Sequence, residues 1–480
     1  MKMQVHAVVP VRTKRFELTT QAEAFSFFVA FVREYGEEQA FLLDSVTDSK
    51  KEYCSSMIGL FPILTVRAKG EKLTVSGHEA VLSILQPDAE QKIQYNLSQH
   101  LDGILHSFDV EENLPAYAFG YLGFFGYDSI RYFEKIPNTT TDDREIDDFH
   151  LQIHRIVLHM TPEQTVIYVH EIEGVKGPGI ADVERLLHFA ASEPLSFKGY
   201  DRSHLISRED VSFDVYRERV ERIKEYIRAG DVFQCVISKR LRVEGEIDTL
   251  EVYGRLRKMN PSPYMFYAHY GSYLIFGASP EMQLRVQDQV VQMRPIAGTS
   301  KGKGLTPDEN QLLIDALQND PKERAEHVML VDLCRNDIGR IAVPGSVRVE
   351  QLLQIEEYSH VYHLVSLVTA KIQAGVSPFD VFLSTFPAGT LSGAPKVRAM
   401  EIIDELEDVN RGPYGGIIGM FDIQGNVDTA IIIRTVVHQD GVSYLQAGAG
   451  IVADSDPVLE WRECDHKLGA LRATIYNEGT

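Results

Sequence analysis

The chain has 480 residues, of which 44% are hydrophobic and 24% are charged, the balance of a globular protein with a sizeable core. Its net charge of −21 argues against non-specific binding to nucleic acid or to an anionic membrane, so an anionic small substrate would need a local positive site or a metal ion. The four scattered cysteines fit neither a zinc site nor a disulfide framework, and no apolar run is long enough for a signal peptide or a spanning helix, so we expect a cytoplasmic protein.

Residues 1–192 have the pattern of one α+β unit. Its predicted elements are helices over 21–35 and 180–191, a strand at 41–43 and hairpins over 64–75 and 151–171. Residues 193–212 lose this periodicity and gather Ser, Gly, Pro and charged residues. They are therefore predicted to link the first unit to a second one over 213–480.

The second unit opens with a helix over 213–229, which Gly230 is expected to end. The elements predicted after it are a strand in 231–243, a helix over 249–259 and strands at 264–269 and 273–277. Glycines then cluster with lysines in 295–304, without the residue order of a nucleotide-binding P-loop. Such a segment could hold an anion, move at an active site or form a plain surface turn, and its composition leaves these alternatives open.

An acidic pair opens the next predicted helix. Asp320 is a good N-cap, and Pro321 suits the first helical position. Glu323 and Glu326 lie three residues apart, so their carboxylates would project from one face. This pair also has ordinary explanations, because Glu323 can close a capping box and Glu326 can pair with Lys322 on a solvated face.

A second acidic pair has the same setting near the C-terminus. Asp456 and the proline after it predict a helix start, and Glu460 and Glu463 share one face. If the two pairs converge, they form an oxygen-rich site for a hard divalent cation, for which Mg²⁺ is the best candidate beside an anionic substrate. The ordinary alternative is an ion pair between Glu463 and Lys467, four residues later.

Two polar residues are predicted on apolar strand faces. His363 alternates with aliphatic residues in 361–367, where a histidine is usually a satisfied core residue. Arg434 shares a face with aliphatic residues of a strand over 427–437, so it needs an anionic partner, either a protein carboxylate or that of a substrate. The next strand ends in two glycines whose amides can approach a ligand, Gly448 and Gly450.

These residues indicate metal-assisted chemistry on a small anion, but they do not name the reaction. Ordered motifs supply a further clue: GDVFQ (230–234), NPSPYMFY (260–267), ASPE (278–281), PIAGT (295–299), KERAEHVMLVDLCRNDIGR (322–340), SHVYHLVS (359–366), FPAGTLSGAPK (386–396), PYGGIIG (413–419), IIIRT (431–435) and AGAGIV (447–452). Through them the chain resembles the chorismate-utilising enzymes over 210–475 and more loosely before that, and within this family the large components of anthranilate synthases. The resemblance implies a large two-lobed α+β fold of packed antiparallel sheets flanked by helices, with a catalytic chorismate-binding lobe over 213–480.

The resemblance also implies roles for individual residues. Glu326 and Glu463 match Mg²⁺ ligands, and Glu323 and Glu460 match second-layer or water-mediated partners of the metal. Glu281 matches the acid that protonates the departing 4-hydroxyl group of chorismate. The other matching catalytic positions are His363, assigned to the elimination steps, Thr390 and Lys467. The matching substrate positions are Gln234, Ala297, Gly298, Thr299, Gly448 and Gly450, with Tyr414 and Arg434 at the enolpyruvyl carboxylate.

Two positions choose among the reactions of the family. Relatives that add water to chorismate carry a lysine base where this chain has Gln234. Relatives that form 4-amino-4-deoxychorismate commonly carry a nucleophilic lysine where this chain has Ala297, although some aminodeoxychorismate synthases do without it. The resemblance therefore implies direct attack of ammonia at carbon 2 and loss of pyruvate to give anthranilate. An aminodeoxychorismate synthase component and a non-catalytic tryptophan-sensing or scaffold protein are the alternatives.

The resemblance extends to control and to a partner. The segments that match a tryptophan-inhibitor site are Leu43, Asp44, Ser45 and Pro263, Tyr264, Met265, where Asp44 replaces the usual glutamate. An ordinary strand and turn is the alternative there. No cysteine lies in the glycine context of a glutaminase nucleophile, so a separate glutamine amidotransferase subunit is expected to deliver ammonia.

Overall fold

Two antiparallel sheets packed against each other, with helices on both outer sides, form the body of the chain. The computed structural model describes residues 8–19, 22–46, 55–87, 91–93, 97–111, 113–300, 302–358 and 361–477. The helices in these ranges are α1 (Ala24–Tyr35), α2 (Glu79–Leu85), α3 (Leu97–Leu105), α4 (Ile180–Ser192), α5 (Phe213–Ala229), α6 (Thr249–Met259), α7 (Pro307–Asn319), α8 (Pro321–Gly339), α9 (Pro378–Thr385), α10 (Lys396–Leu406) and α11 (Pro457–Tyr476).

The strands of the described residues are β1 (Val9–Pro10), β2 (Arg12–Leu18), β3 (Ala40–Asp44), β4 (Ser56–Lys69), β5 (Lys72–Gly77), β6 (Gln91–Lys92), β7 (Phe108–Asp109), β8 (Gly120–Phe125), β9 (Phe149–Met160), β10 (Thr165–Glu171), β11 (Ile206–Glu209), β12 (Gln234–Glu244), β13 (Tyr264–His269), β14 (Leu274–Ser279), β15 (Met282–Gln287), β16 (Val290–Met293), β17 (Ile296–Thr299), β18 (Arg348–Glu357), β19 (Tyr362–Lys371), β20 (Gly393–Ala394), β21 (Ile417–Asp422), β22 (Val427–Ile431), β23 (Thr435–Gln439) and β24 (Val442–Ile451).

The long strands β4 and β9 pair along their whole length and take part in both sheets. The first sheet has the order β11-β12-β24-β23-β14-β13-β3-β4-β9-β10-β2. The second has the order β6-β5-β4-β9-β8-β21-β22-β15-β16-β19-β18, and β17 also pairs with β19. A register shift between Pro62 and Leu64 marks the place where β4 bends from one sheet into the other.

Three hydrophobic clusters hold these layers together. Between the sheets, Phe41 and Phe266 of the first sheet meet Phe124 and Ile418 of the second. A larger cluster joins the outer face of the first sheet to α1, α4, α5, α6, α10 and α11. Another joins the outer face of the second sheet to α2, α3, α8 and α9. The predicted α+β class with packed antiparallel sheets flanked by helices is therefore confirmed.

Local sequence rules account for elements such as α5. The Ser212 hydroxyl accepts a hydrogen bond from the Val215 amide at 3.4 Å and begins the helix, while Gly230 ends it at a φ of 85° that favours glycine. Val220 and Ile223 lie three residues apart on its buried face, and burial of each side chain contributes about 1.5–3 kcal/mol. The predicted helix over 213–229 is confirmed.

Strands from both halves of the chain share both sheets. Residues 206–209 of the predicted linker 193–212 form β11, which pairs with β12. The division into lobes over 1–192 and 213–480 stays a prediction, since the sheets run across it. None of the helices in the described ranges has the length and hydropathy needed to span a bilayer.

The single strand predicted over 427–437 is wrong. The structure breaks it after Ile431, and the chain leaves β22 in the second sheet and enters the first sheet at β23. Arg434 lies in this break with a φ of 50°, so it does not share a regular strand face with its aliphatic neighbours. The crossing between sheets explains the break and carries Arg434 to the wall of a cavity.

Candidate active site

A cavity of about 240 Å³ lies where the chain passes between the two sheets. Its wall takes residues from β12 and β24 of the first sheet, from β17 and β19 of the second, and from α8 and α11. The sequence-predicted residues that line it are Gln234, Glu281, Ala297, Thr299, Glu326, His363, Thr390, Tyr414, Arg434, Gly448, Gly450, Glu463 and Lys467. Residues far apart in the sequence therefore face the same space.

The two acidic pairs lie on helices that begin as the sequence predicts. Asp320 Oδ1 accepts hydrogen bonds from the amides of Lys322 at 2.8 Å and Glu323 at 3.1 Å. Asp456 Oδ1 caps α11 in the same way, through the second and third residues after it. Asp320 is thus the N-cap of α8, and the capping box predicted for Glu323 is not formed. Instead, Glu323 Oε2 lies 3.1 Å from the position that a Cβ at Gly298 would take.

One carboxylate of each pair reaches the cavity, and each is held by a neighbour. Gln234 Nε2 donates to Glu326 Oε1 at 3.1 Å. A Cβ at Gly450 would stand 2.3 Å from the same Nε2, so this glycine makes room for the amide. Lys467 Nζ lies 2.7 Å from Glu463 Oε1 and donates to Gly448 O at 2.8 Å. The ion pair expected as the ordinary alternative for Glu463 therefore forms at the cavity wall.

Three of the residues predicted to act in catalysis or to bind substrate or metal do not line the cavity: Glu323, Glu460 and Gly298. Burial raises the pKa of Glu323, and the negative charges of Glu326, Asp320 and Glu463 raise it further. Burial also raises the pKa of Glu460, and Glu463 adds to this shift. The carboxylates of the two pairs therefore repel each other, and a bound cation would reduce this repulsion.

The donor set fits Mg²⁺, although the described residues contain no group of three or more His, Cys, Asp or Glu side chains arranged as a complete metal site. Mg²⁺ is commonly bound by one or two carboxylates, several waters and an anionic substrate. Glu326 and Glu463 supply two such carboxylates on the wall of one cavity. These two residues would hold the ion, with Glu323 and Glu460 behind them.

Glu281 has the properties of a general acid. It lies in the short connection from β14 in the first sheet to β15 in the second, and Thr390 Oγ1 donates to its Oε1 at 3.1 Å. Burial raises the pKa of Glu281 to about 7, against the opposing effects of Thr390, Arg434 and Lys467. A carboxyl group with this pKa is available in its protonated form near neutral pH.

The hydrogen bonds of His363 are those of a neutral base. Its Nδ1 lies 3.1 Å from Gly298 O and 3.0 Å from Thr299 Oγ1. Because a carbonyl oxygen only accepts, Nδ1 carries the proton and Nε2 is the acceptor nitrogen. Burial lowers the pKa of His363, and the nearby charge of Arg434 lowers it further. The imidazole is therefore neutral at pH 7.

Gln446 also lines the cavity, but the sequence prediction missed it. Ser238 Oγ donates to Glu407 Oε1 at 2.7 Å, so it accepts from Gln446 Nε2 at 2.8 Å. These hydrogen bonds fix the amide of Gln446, whose buried Oε1 has no hydrogen-bond partner among the residues that the structure describes. The even spacing of Gln446 with Gly448 and Gly450 on one strand was the available signal.

A buried ion pair supports this wall from behind. Arg411, 1% exposed, donates to both carboxylate oxygens of Glu407 at 2.7 and 2.8 Å and to the carbonyls of Val236 and Leu391. Its guanidinium also lies 5.8 Å from the centre of the Tyr414 ring. Burial opposes ionisation of Glu407, but Arg411 and Ser238 outweigh it and hold the pKa of Glu407 below its usual value. Through these contacts the pair positions three segments at the cavity, which contain Val236, Leu391 and Tyr414.

Replacing Glu407 with Gln is expected to destabilise the chain by about 3–5 kcal/mol, because Arg411 would keep its charge without a buried counter-ion. Chemical denaturation measures this change. The matched control is Glu225→Gln, which removes an exposed partner of Arg222 and should cost less than about 1 kcal/mol. Equal effects of the two variants would contradict the role given to the buried pair.

Comparison with known proteins identifies the family. The model of the family described as chorismate binding enzyme matches residues 13–473. The chain belongs to this family. The resemblance inferred from the motifs is therefore confirmed.

Individual members of the chorismate binding enzyme family cover nearly the whole chain. Anthranilate synthase component 1 of Acetivibrio thermocellus is 41% identical and covers 92% of this chain and 90% of its own. The 2-amino-4-deoxychorismate synthase of Streptomyces globisporus is 36% identical over 99% of this chain and 98% of its own. The crystal structure of anthranilate synthase component I from Streptococcus pneumoniae TIGR4 is similar with a TM-score of 0.74, 32% identity and coverage of 89% and 94% of the two chains.

The segment predicted to bind tryptophan lies where β3 pairs with β13, with Asp44 opposite Met265. Both carboxylate oxygens of Asp44 are engaged: Ser56 Oγ donates to one at 2.6 Å and Arg257 Nε to the other at 2.7 Å. Tyr264 donates its hydroxyl to Asp428 at 3.0 Å. Tryptophan binding stays a prediction.

Proposed function

We propose that the chain converts chorismate and ammonia to anthranilate and pyruvate, as the synthase component of an anthranilate synthase in tryptophan biosynthesis. The observation that carries the proposal is the partly buried acid Glu281, whose pKa is raised to about 7, in one cavity with the carboxylates Glu326 and Glu463. The 41% sequence identity with anthranilate synthase component 1 of Acetivibrio thermocellus supports the same activity. Gln234 and Ala297 offer neither a base for water nor a nucleophile for a covalent route.

In the first half of the reaction the chain binds chorismate and removes its 4-hydroxyl group. Arg434 and Tyr414, both on the cavity wall, bind the enolpyruvyl carboxylate. Glu281 gives its proton to the 4-hydroxyl group, which leaves as water while ammonia bonds to carbon 2 and the two ring double bonds shift. The product of this half is 2-amino-4-deoxychorismate.

In the second half His363 Nε2 removes the proton from carbon 2. The bond from carbon 3 to the enolpyruvyl oxygen breaks and the ring becomes aromatic. The departing enolpyruvate takes up one proton, which balances the one removed from carbon 2, and becomes pyruvate. The neutral His363 suits this step because its Nδ1 hydrogen is engaged by Gly298 O and its Nε2 can accept. Lys467 uses two of its three N–H donors on Glu463 and Gly448, and its third can bind an anionic substrate.

Mg²⁺, held by Glu326 and Glu463, would bind the ring carboxylate of chorismate and neutralise its charge. Without a counter-charge, that carboxylate would lie beside the protein's own carboxylates at a high electrostatic cost. Gln234 and Lys467 orient the two metal-binding side chains.

A second candidate function stops after the first half. The Streptomyces globisporus relative is named for 2-amino-4-deoxychorismate, the compound that forms before pyruvate is lost. The two candidates differ by one elimination, in which the carbon 2 proton is removed and the enolpyruvyl group leaves carbon 3. The neutral His363 on the cavity wall favours the complete reaction. An amino group at carbon 4, as in the folate-pathway alternative, is less favoured because Ala297 provides no nucleophile.

Replacing His363 with Asn is expected to separate the two halves. An asparagine can keep a donor toward Gly298 O but cannot take a proton, so anthranilate formation should fall about 10²- to 10⁴-fold. Chorismate should still be consumed, and 2-amino-4-deoxychorismate should accumulate in the mass spectrum. Thr299→Val removes the other contact of Nδ1 at a predicted substrate position but keeps the base, so it should release no 2-amino-4-deoxychorismate even where turnover falls. Undiminished anthranilate from the Asn variant would contradict the assignment.

Turnover of the purified chain tests the proposed function. Chorismate, Mg²⁺ and ammonium should give fluorescent anthranilate together with pyruvate, measured by lactate dehydrogenase coupling. Glutamine should replace ammonium only after a glutamine amidotransferase subunit is added. Tryptophan, added as an inhibitor, tests the proposed control at Asp44. No consumption of chorismate under these conditions would favour the non-catalytic alternative.

A further inference from the structure

A second, smaller cavity lies directly behind Glu281. It has a volume of about 30 Å³ and shares Glu281, Thr390 and Leu330 with the substrate cavity. These three side chains therefore separate the two spaces. A cavity of this volume has room for about two water molecules.

The lining of the smaller cavity is mostly apolar, but it includes five polar side chains. Its wall includes Gln283, Arg294 and Asp337, beside the hydroxyl of Thr390 and the carboxyl group of Glu281. An ordered internal water needs two to four polar partners, and the five polar side chains of this wall are the candidates. The side chain of Arg294 is 26% exposed, so the polar wall extends toward bulk water.

Hydrogen bonds hold the far wall in place. Lys396 Nζ donates to Asp337 Oδ2 at 2.7 Å and to Thr385 O at 2.8 Å. Gln283 Nε2 also donates to Thr385 O, at 2.9 Å. Cys334 lines the same cavity as Asp337 and Glu281.

The proposed reaction requires that Glu281 be reprotonated, and the smaller cavity offers a route for the proton. Glu281 loses one proton in each turnover of the proposed reaction. Because Glu281 lines the substrate cavity, a substrate bound there would cover that face of the side chain. The next turnover requires a protonated Glu281. A proton that arrives while the substrate cavity is filled must therefore come from the other side.

We propose that the small cavity holds water and returns a proton to Glu281 after each turnover, with Gln283, Asp337 and Arg294 positioning the water. This inference rests on the proposed function. The proton balance closes with ammonia and water alone. Ammonia bonded to carbon 2 releases one proton to solvent, the departing hydroxyl group takes one from Glu281, and the water chain passes one from solvent back to the carboxylate.

Slow return of the proton has a kinetic signature. A chain that starts with Glu281 protonated completes its first turnover normally and then waits before each later one. Two variants should produce this behaviour: Cys334→Met, whose longer side chain fills the cavity, and Gln283→Leu, which removes a polar partner of the water. In the second variant Thr385 O keeps its bond to Lys396.

Rapid-quench measurement of anthranilate at pH 6.5 tests the proposal in the full chain with chorismate, Mg²⁺ and ammonium. Both variants should show a first turnover at the wild-type rate, followed by a steady-state rate at least tenfold below wild type. Val331→Ile, which enlarges a buried side chain of α8 that is not among the residues lining either cavity, is the packing control and should show no burst.

Three results would overturn the inference. They are steady-state rates of both variants within twofold of wild type, an equal slowing of the first and later turnovers, and a high-resolution crystal structure in which the cavity holds no water. The crystal structure decides the matter if either variant fails to fold. Absence of anthranilate from the wild-type chain would reject the proposed function and this inference together, whereas an active wild type beside variants without a burst would reject the inference alone.

Discussion

Replacing Glu281 with Gln is expected to lower kcat about 10²- to 10⁴-fold, because the amide cannot give a proton to the departing hydroxyl group. KM for chorismate should change little, since Arg434 and Tyr414 remain on the cavity wall. Steady-state rates of anthranilate formation measure both constants. A variant that keeps more than a tenth of the wild-type kcat would contradict the role of Glu281 as the general acid.

The pH dependence gives the same prediction a second measurement. The step at the 4-hydroxyl group needs protonated Glu281, whose pKa is raised to about 7. The wild-type rate of this step should therefore fall about tenfold per pH unit above pH 7. The Gln variant should lack this alkaline decline. An alkaline limb that is identical in both proteins would assign it to another group.

The thermal stability of the Glu281→Gln variant shows whether a loss of activity comes from the missing acid or from unfolding. The raised pKa of Glu281 means that its protonated form favours folding, so its contribution to stability is fully present below the ordinary pKa of 4.5 and is lost as the pH rises to about 7. The loss amounts to at most about 3 kcal/mol. Glu281→Gln avoids it, so the Tm of the variant should equal or exceed that of wild type at pH 8.

Replacing Glu326 with Gln is expected to reduce turnover at least about 10²-fold, because one of two carboxylates for Mg²⁺ is lost. Raising the Mg²⁺ concentration should recover part of the loss. The matched control is Asp332→Asn on the same helix, which removes an exposed carboxylate that pairs with Arg335 and should leave turnover unchanged.

The metal itself can be measured in the absence of catalysis. Titration calorimetry with Mg²⁺ in the presence of a non-reacting chorismate analogue should give weaker binding to the Glu326→Gln chain than to wild type. Removal of the metal with EDTA should abolish turnover of wild type, and added Mg²⁺ should restore it. Full activity in EDTA, or equal metal affinity of the two chains, would contradict a metal site at Glu326 and Glu463.

Local sequence rules predict many of the elements that form this site. The Asp-Pro starts of α8 and α11 and the three-residue spacing of their acids follow from helix geometry, and the structure has both caps. Whether acids of the two helices face one cavity does not follow from local rules, since that arrangement depends on the order of strands in two sheets. Resemblance to known motifs supplied that expectation.

The remaining errors have a common physical cause. The aliphatic and β-branched residues around Arg434 predict a regular strand, but they cannot reveal that the chain changes sheets there. Gln446 was missed because its importance depends on Ser238 and Glu407, which are remote in sequence. Hydrophobic pattern reports burial, whereas these features depend on tertiary contacts.

The position of nitrogen in the product tests the central claim most directly. The purified chain would be supplied with chorismate, Mg²⁺ and ¹⁵N-ammonium, and the whole product mixture analysed by NMR and assayed for pyruvate. We expect ¹⁵N on carbon 2 of an aromatic ring, with one pyruvate released for each anthranilate formed. Nitrogen on carbon 4, or an aminated product that keeps its enolpyruvyl group, would contradict the account.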